Sequence, residues 1–287
     1  MAWPSMAADQ TALEDLIDFV RSHPSLCVLT GAGVSTDCGI PDYRDEQGQW
    51  KRPPPMSHQD YLASELARQR YWARSLIGFR LLDNAAPGRA HHALTALERR
   101  GVVNGIITQN VDRLHQKSGS QHVVDLHGRA DQVRCLQCDL LIERREFHDT
   151  LALLNPEWVG MKAEIAPDGD AYLDGVDFST FQLPDCPRCG YDILKTDVVF
   201  FGDSVPKPRL AQAMAMLDAA SALLVVGSSL MVFSGFRFAR HASQTDKPIA
   251  CLNLGHTRAD ELFSIKLEQS ISEGLEALLE GLDATGG

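Results

Sequence analysis

Apolar residues along this chain follow two rhythms. Short apolar runs at 26–29, 102–108, 122–126, 198–201, 222–226 and 248–254 read as buried strands. Between them the apolar positions recur at helical spacing. Leu13, Leu16, Ile17 and Val20 follow a capping box at Thr11 and Glu14, so a helix is expected to start at Thr11. Further helices are expected over 61–82, 87–100, 210–220, 235–243 and 270–282, with Gly101 closing the second of these. Residues 47–59, with Pro53, Pro54 and Pro55, read as a loop. Strands separated by helices imply a parallel sheet covered on both faces: an α/β, doubly wound fold.

That alternation breaks from about 130 to 195, where two cysteine pairs flank a segment rich in Pro, Asp and Gly. Cys135-x-x-Cys138 and Cys186-x-x-Cys189 each place two thiols on one short turn. Four thiolates make a closed, structural zinc site with no open position for water. A redox pair is the alternative. The expected division is therefore 1–130 with 196–287 as a Rossmann-like domain, and 131–195 as a small inserted zinc-binding domain. The latter carries a long insert at about 151–181, and residues 47–85 supply part of a helical module. Cys27, Cys38 and Cys251 read as small buried residues.

Ligands in an open α/β sheet bind at the carboxyl ends of the strands. The first strand here opens into Gly31-Ala32-Gly33-Val34-Ser35, a turn that would let a backbone approach a pyrophosphate. Thr36 stands where a dinucleotide fingerprint wants its third glycine, and the tail Ile40-Pro41-Asp42-Tyr43-Arg44 lies outside that motif. Polar clusters follow four more strands: Thr108-Gln109-Asn110-Val111-Asp112, Asp125-Leu126-His127-Gly128, Gly227-Ser228-Ser229 and Asn253-Leu254-Gly255. Each could be turn chemistry alone, but together they point to one site. His127, at a strand end, could serve as a base near neutral pH or be a satisfied polar residue.

Composition narrows the partners. The 287 residues carry a net charge of −11, which disfavours a nucleic-acid backbone. No apolar run is long enough to span a bilayer. The first ten residues lack the features of a secretory signal or transit peptide. Seven cysteines, an odd number, do not suggest a disulfide framework, and a cytoplasmic location is expected.

Taken in order, GAGxSxxxGIPDYR, TQNVDRLH, LHG, the two CxxC pairs, VVFFGD, GSS and NLG resemble the sirtuin family over roughly residues 12–280. Tyr43, the Tyr71-Trp72-Ala73-Arg74 segment and Ala166-Pro167-Asp168-Gly169-Asp170 are similar to the class II branch, which includes a mitochondrial lipoamidase and ADP-ribosyltransferase. The lack of a transit sequence suits a bacterial relative. The resemblance implies an NAD-dependent protein lysine deacylase with a Rossmann domain and one structural zinc held by Cys135, Cys138, Cys186 and Cys189. It implies that Ala32, Ile40, Asn110, Val111 and Asp112 form the nicotinamide pocket. Gly31, Gly33 and Ser35 would hold the diphosphate and ribose side. Tyr43 would shield the reacting ribose, with Pro41 and Asp42 in the same tail. Arg44 would support the cofactor loop through 47–51, and Gln109 would contact the ribose near His127. Gly227, Ser228, Ser229, Asn253, Leu254 and Gly255 would hold the adenosine half, with Ile271 near the adenine.

In that chemistry the substrate amide oxygen displaces nicotinamide at C1′. His127, as general base, activates the ribose 2′-hydroxyl, and the acyl group ends on ADP-ribose. The acyl-lysine segment would add as a strand between Phe201-Gly202-Asp203 and the loop around 231–233. Tyr71 and Arg74, three apart on a helix, can face one way and could bind an acyl carboxylate; the plain alternative is one buried Tyr and one solvated Arg. A preference for acidic or longer acyl groups over acetyl is expected. Protein ADP-ribosyl transfer and a catalytically idle NAD-binding scaffold are the competing functions.

Overall fold

The computed structural model describes residues 6–163, 171, 173 and 175–284. Its strands, in chain order, are β1 (Leu26–Thr30), β2 (Val103–Thr108), β3 (Val123–Asp125), β4 (Gly128–Cys135), β5 (Leu141–Glu143), β6 (Leu194–Val198), β7 (Ala222–Val226), β8 (Ile249–Leu252) and β9 (Ile265–Leu267). The first three and last three form a six-stranded parallel sheet in the order β3-β2-β1-β7-β8-β9. Counted within that sheet this is the 3-2-1-4-5-6 order of dinucleotide-binding doubly wound folds. The order reverses between β1 and β7, and there the crevice for a ligand opens.

Strand alternation builds the two faces. Leu26 and Val28 enter one buried cluster with Leu16, Leu94 and Leu275, while Cys27 and Leu29 enter another with Leu217, Phe238 and Ala239. The first face is covered by α1 (Met6–Ser22), α4 (Arg89–Arg99) and α9 (Ile271–Asp283). The second is covered by α7 (Lys207–Ala219) and α8 (Phe233–Gln244). Strands β4, β5 and β6 form a separate antiparallel sheet. Together with α2 (His58–Ala63), α3 (Glu65–Asn84) and α6 (Arg144–Leu154), it encloses a third cluster around Tyr61, Tyr71, Trp72 and Phe147.

Three expectations need correction. The first helix begins at Met6, so Thr11 is interior to it and does not cap it. The stretch expected as one helix over 61–82 is two, broken at Ser64, whose backbone is extended and whose hydroxyl caps the N–H of Ala67 at 3.1 Å. The strand expected at 198–201 is β6, four residues earlier in its start and part of the small sheet. Its Lys195, Thr196 and Asp197 hid it, although Lys195 and Thr196 are buried. Gly101 does close α4, with φ of 73° in the left-handed region. The Asp-rich tip at 166–170 lies outside the described residues.

Candidate active site

The turns after β1 and β7 interlock. Gly33 N–H donates to the Gly227 carbonyl at 2.9 Å and Gly31 N–H to that of Val226 at 3.2 Å. A Cβ on Gly33 would lie 2.9 Å from the Gly227 Cα, and one on Gly31 2.7 Å from the Ser228 Cβ. These glycines are therefore required for turn-against-turn packing, and close approach rather than N–H donation is what they offer a ligand. A third turn closes on the first loop. Gly255, with φ of 77°, lies where a Cβ would come within 2.3 Å of the Glu46 carbonyl oxygen.

The turns frame a cleft of about 750 Å³. It is lined by Gly31, Ala32, Gly33, Ser35, Ile40, Asp42, Tyr43 and Arg44 from the first turn, and by Gln109, Asn110, Val111, Asp112 and His127 from the ends of β2 and β3. Gly227, Ser228, Ser229, Asn253 and Leu254 line it from β7 and β8, and Tyr71, Phe201 and Gly202 from the helical side. Four of the residues that the resemblance assigns to cofactor or substrate do not line it. Pro41 and Gly255 sit beside lining residues, Ile271 packs in the core below the sheet, and Arg74 turns away. Asp45, Glu46, Met231, Ser234 and Arg237 also line it; the clefts' polar sequence motifs give no sign of Arg237, which sits mid-helix.

Two polar knots fill the floor. Ser35 Oγ donates to Asp112 Oδ2 at 2.7 Å and accepts from Asn110 Nδ2 at 3.1 Å, while Leu114 N–H donates to Asp112 Oδ1 at 2.9 Å. Asp112 is buried, and these bonds satisfy its carboxylate. Behind it lies His91, with Nε2 3.5 Å from Ser35 Oγ. Burial pushes the His91 imidazole down to about 4, although Asp112 acts the other way.

His127 forms the second knot. Its Nδ1 faces the Gln109 carbonyl at 3.0 Å and its Nε2 faces Ser234 Oγ at 2.7 Å. A carbonyl only accepts, so Nδ1 carries the proton and the Nε2 lone pair accepts from Ser234. Burial lowers its pKa to about 4; the Gln109 hydrogen bond opposes this and the Arg209 and Arg237 charges add to it. The imidazole is thus a neutral base with its lone pair at the cleft. Gly128 fixes its exit: at φ of 83° a Cβ there would sit 1.9 Å from the Asp197 carbonyl oxygen.

The loop above the floor is braced. Arg44 Nη1 donates to the Gly48 carbonyl at 2.7 Å, and its guanidinium lies 4.0 Å from the centre of the Trp50 ring. Lys51 pairs with Asp42. On the helical side, the Tyr71 hydroxyl meets Thr196 Oγ1 at 2.7 Å, whereas Arg74 donates to the Ala171 carbonyl. The two side chains do not share a face of the site. Along the expected peptide edge, the Phe201 carbonyl accepts from His58 N–H at 2.8 Å and the Gly202 carbonyl from Gln59 Nε2 at 3.0 Å.

The cysteines gather apart from the cleft. The sulfurs of Cys135, Cys138, Cys186 and Cys189 all lie within 4.8 Å of one another. Cys135 to Cys189 is 3.6 Å and Cys138 to Cys186 is 3.7 Å. A tetrahedron with zinc–sulfur bonds of about 2.3 Å has edges of about 3.8 Å, whereas a disulfide would bring two sulfurs to about 2.05 Å. The donor set fits a closed, structural zinc, and all seven cysteines are free thiols. No helix among the described residues is long and apolar enough to cross a membrane.

A family model described as Sir2 family matches residues 31–234. An NAD-dependent protein deacetylase of Xanthomonas axonopodis pv. citri is 56% identical over 263 residues, covering 92% of this chain and 89% of that protein. The NAD-dependent protein deacylase Sirt4 of Drosophila melanogaster is 43% identical over 271 residues, 93% of this chain and 86% of that protein. Among solved structures, one from work on the mechanism and regulation of Sir2 enzymes superposes with a TM-score of 0.75 at 29% identity, covering 96% of this chain and 99% of that one. A Sir2 bound to acetylated peptide superposes at 0.72 with 25% identity, covering 94% and 99%.

Proposed function

This chain belongs to the Sir2 family, and on that premise we propose that it is an NAD-dependent protein lysine deacylase of the class II branch, acting in the cytoplasm. The observation that carries the reading is the His127 arrangement. A neutral imidazole with its proton held by the Gln109 carbonyl presents a lone pair to a cleft at the switch point of a dinucleotide-binding sheet.

Bound NAD would supply a ribose whose bond to nicotinamide is broken as the acyl-lysine amide oxygen attacks. This chain's residues do the rest. Gly31 and Gly33 let the backbone approach the diphosphate, and Ser228, Ser229, Asn253 and Leu254 flank the adenosine half. Asp112, anchored by Ser35 and Leu114, offers an acceptor for the carboxamide, beside Ile40, Val111 and Asn110. His127 takes a proton from the ribose hydroxyl once Ser234 gives way. Cys135, Cys138, Cys186 and Cys189 hold zinc and carry no chemistry.

Tyr71 reaches the cleft and Arg74 braces the insert at Ala171. A longer or acidic acyl group would therefore meet Tyr71 first, which supports a preference over acetyl that does not depend on Arg74. Acetyl, butyryl, glutaryl and lipoyl peptides, each with NAD, test this by nicotinamide release and product mass. O-acyl-ADP-ribose from the larger groups at higher kcat/KM is expected. Best activity on acetyl would overturn the acyl preference, and ADP-ribose covalently attached to protein would replace deacylation with transfer.

A further inference from the structure

Several arginines of this acidic chain, among them Arg89, Arg100, Arg113 and Arg134, hold a carboxylate. Three that gather on one lip of the cleft, on and near α8, hold none. Arg237 and Arg240 lie one and two turns along α8 from Phe233, so all three side chains share a helix face. The guanidinium carbons stand 5.2 Å and 4.9 Å from the centre of the Phe233 ring. Arg258, brought by the loop after β8, stands 5.9 Å from that ring and 4.5 Å from Phe236. Its backbone is fixed by a 2.9 Å bond from Arg258 N–H to the Ser229 carbonyl. Among the described residues no carboxylate lies within ion-pair distance of these three groups, and Arg237 Nε is buried with no hydrogen-bond partner.

Phe233 is 41% exposed and lines the cleft with Met231, Val232 and Arg237. The opposite lip carries Asp203, next to Phe201 and Gly202. One lip is thus cationic and aromatic, the other acidic. A guanidinium laid on an aromatic ring keeps its edge donors for a carboxylate, in the planar fork geometry that suits one. With a net charge of −11 over the whole chain, a polyanion would be repelled from most of the surface and accepted here only in small pieces.

We propose that Arg237, Arg240 and Arg258 around Phe233 form a subsite for aspartate or glutamate side chains flanking the acyl-lysine of the protein substrate. The inference rests on the deacylase reading and adds its peptide preference. The charge difference between the lips also sets the direction in which the segment crosses the cleft, so acidic residues on one side of the lysine count and those on the other do not.

The test uses the full chain and three acyl-lysine peptides that differ only in flanking residues: two aspartates before the lysine, two after it, or asparagines throughout. Peptide binding by fluorescence anisotropy and kcat/KM by nicotinamide release are measured at low and high salt. One acidic peptide is expected to exceed the asparagine peptide by about tenfold, mainly in Kd and KM, with the advantage shrinking in salt. In Arg240→Glu/Arg258→Glu the ratio of acidic to asparagine peptide is expected to fall to one or below. Arg240→Gln/Arg258→Gln should give an intermediate ratio, and thermal melting checks that each variant is folded. A wild-type ratio of one, or a ratio unchanged in the folded charge-reversed variant, overturns the subsite. Nicotinamide release from none of the three peptides overturns the deacylase reading instead, and the anisotropy ratios still decide the subsite.

Discussion

The chain concentrates its reactive side chains in two places that are built in opposite ways. At the cysteine cluster, two short turns bring four identical donors within reach of one another. Once a metal is bound no coordination position remains. At the cleft, unlike groups from four strand ends satisfy one another, and the His127 Nε2 lone pair is held only by the Ser234 hydroxyl, itself part of the cleft lining. The first is a structural closure whose contribution is to stability. The second accepts the cost of burying polar groups beside a void, which is what a reacting molecule requires.

Removing a donor should therefore act on different quantities in the two places. Cys186→Ser is expected to have the largest effect: loss of bound zinc by elemental analysis and a Tm lowered by roughly 10 °C or more, as the small sheet loses its clamp. A variant that keeps its Tm without metal would show that the clamp does not stabilise the fold. His127→Ala should do the reverse. Tm and NAD binding by calorimetry are expected to stay, while turnover falls by roughly 10²- to 10⁴-fold; retained turnover would remove His127 as the base.

Proton linkage gives a third contrast. His91 and His127 are both pushed from 6.5 to about 4 by burial, so between those values the unfolded chain binds more protons than the folded one. Stability is then fully present above pH 6.5 and is lost as pH falls toward 4. If His127 is the base, the acid limb of kcat/KM should likewise sit well below the ordinary histidine value, because its imidazole stays neutral there. An acid limb near 6.5 would mean that His127 is solvated in the working enzyme.

The smallest expected effect lies at the lip. Gln59 Nε2 occupies the Gly202 carbonyl at 3.0 Å, a group that an added strand would need. Gln59→Ala is expected to lower the KM for peptide about two- to fivefold with kcat little changed, since one neutral hydrogen bond contributes about 1 kcal/mol. A raised KM would make Gln59 a substrate contact.

Legibility followed the same divide. The parallel, doubly wound sheet could be anticipated because β1, β7 and β8 are continuous apolar runs, and the zinc donors because each pair is local to one turn. His127, Asp112 and Ser35 could be grouped only by supposing that distant strand ends converge, which the parallel sheet then provides. What stayed hidden was set by tertiary context. Strand β6 carries Lys195, whose ammonium donates to the Thr196 and Val198 carbonyls and lies over the Phe200 ring. A pattern of polar residues thus conceals a buried strand. Tyr71 and Arg74 share a helix and a spacing, but the insert that draws Arg74 toward Ala171 is remote in sequence. The three arginines around Phe233 belong to no motif at all.

Strand β4 begins at Gly128, directly after His127, and ends on Cys135. The His127 carbonyl is also held by Val199 N–H at 2.7 Å, just past the end of the neighbouring β6, whose first residue pairs with Cys135. His127 and the cysteine cluster thus share one strut, braced along its length by a second. Electrophiles that strip zinc from the thiols would silence the enzyme from the far end of that strut, and neither NAD nor peptide could protect against them by competition.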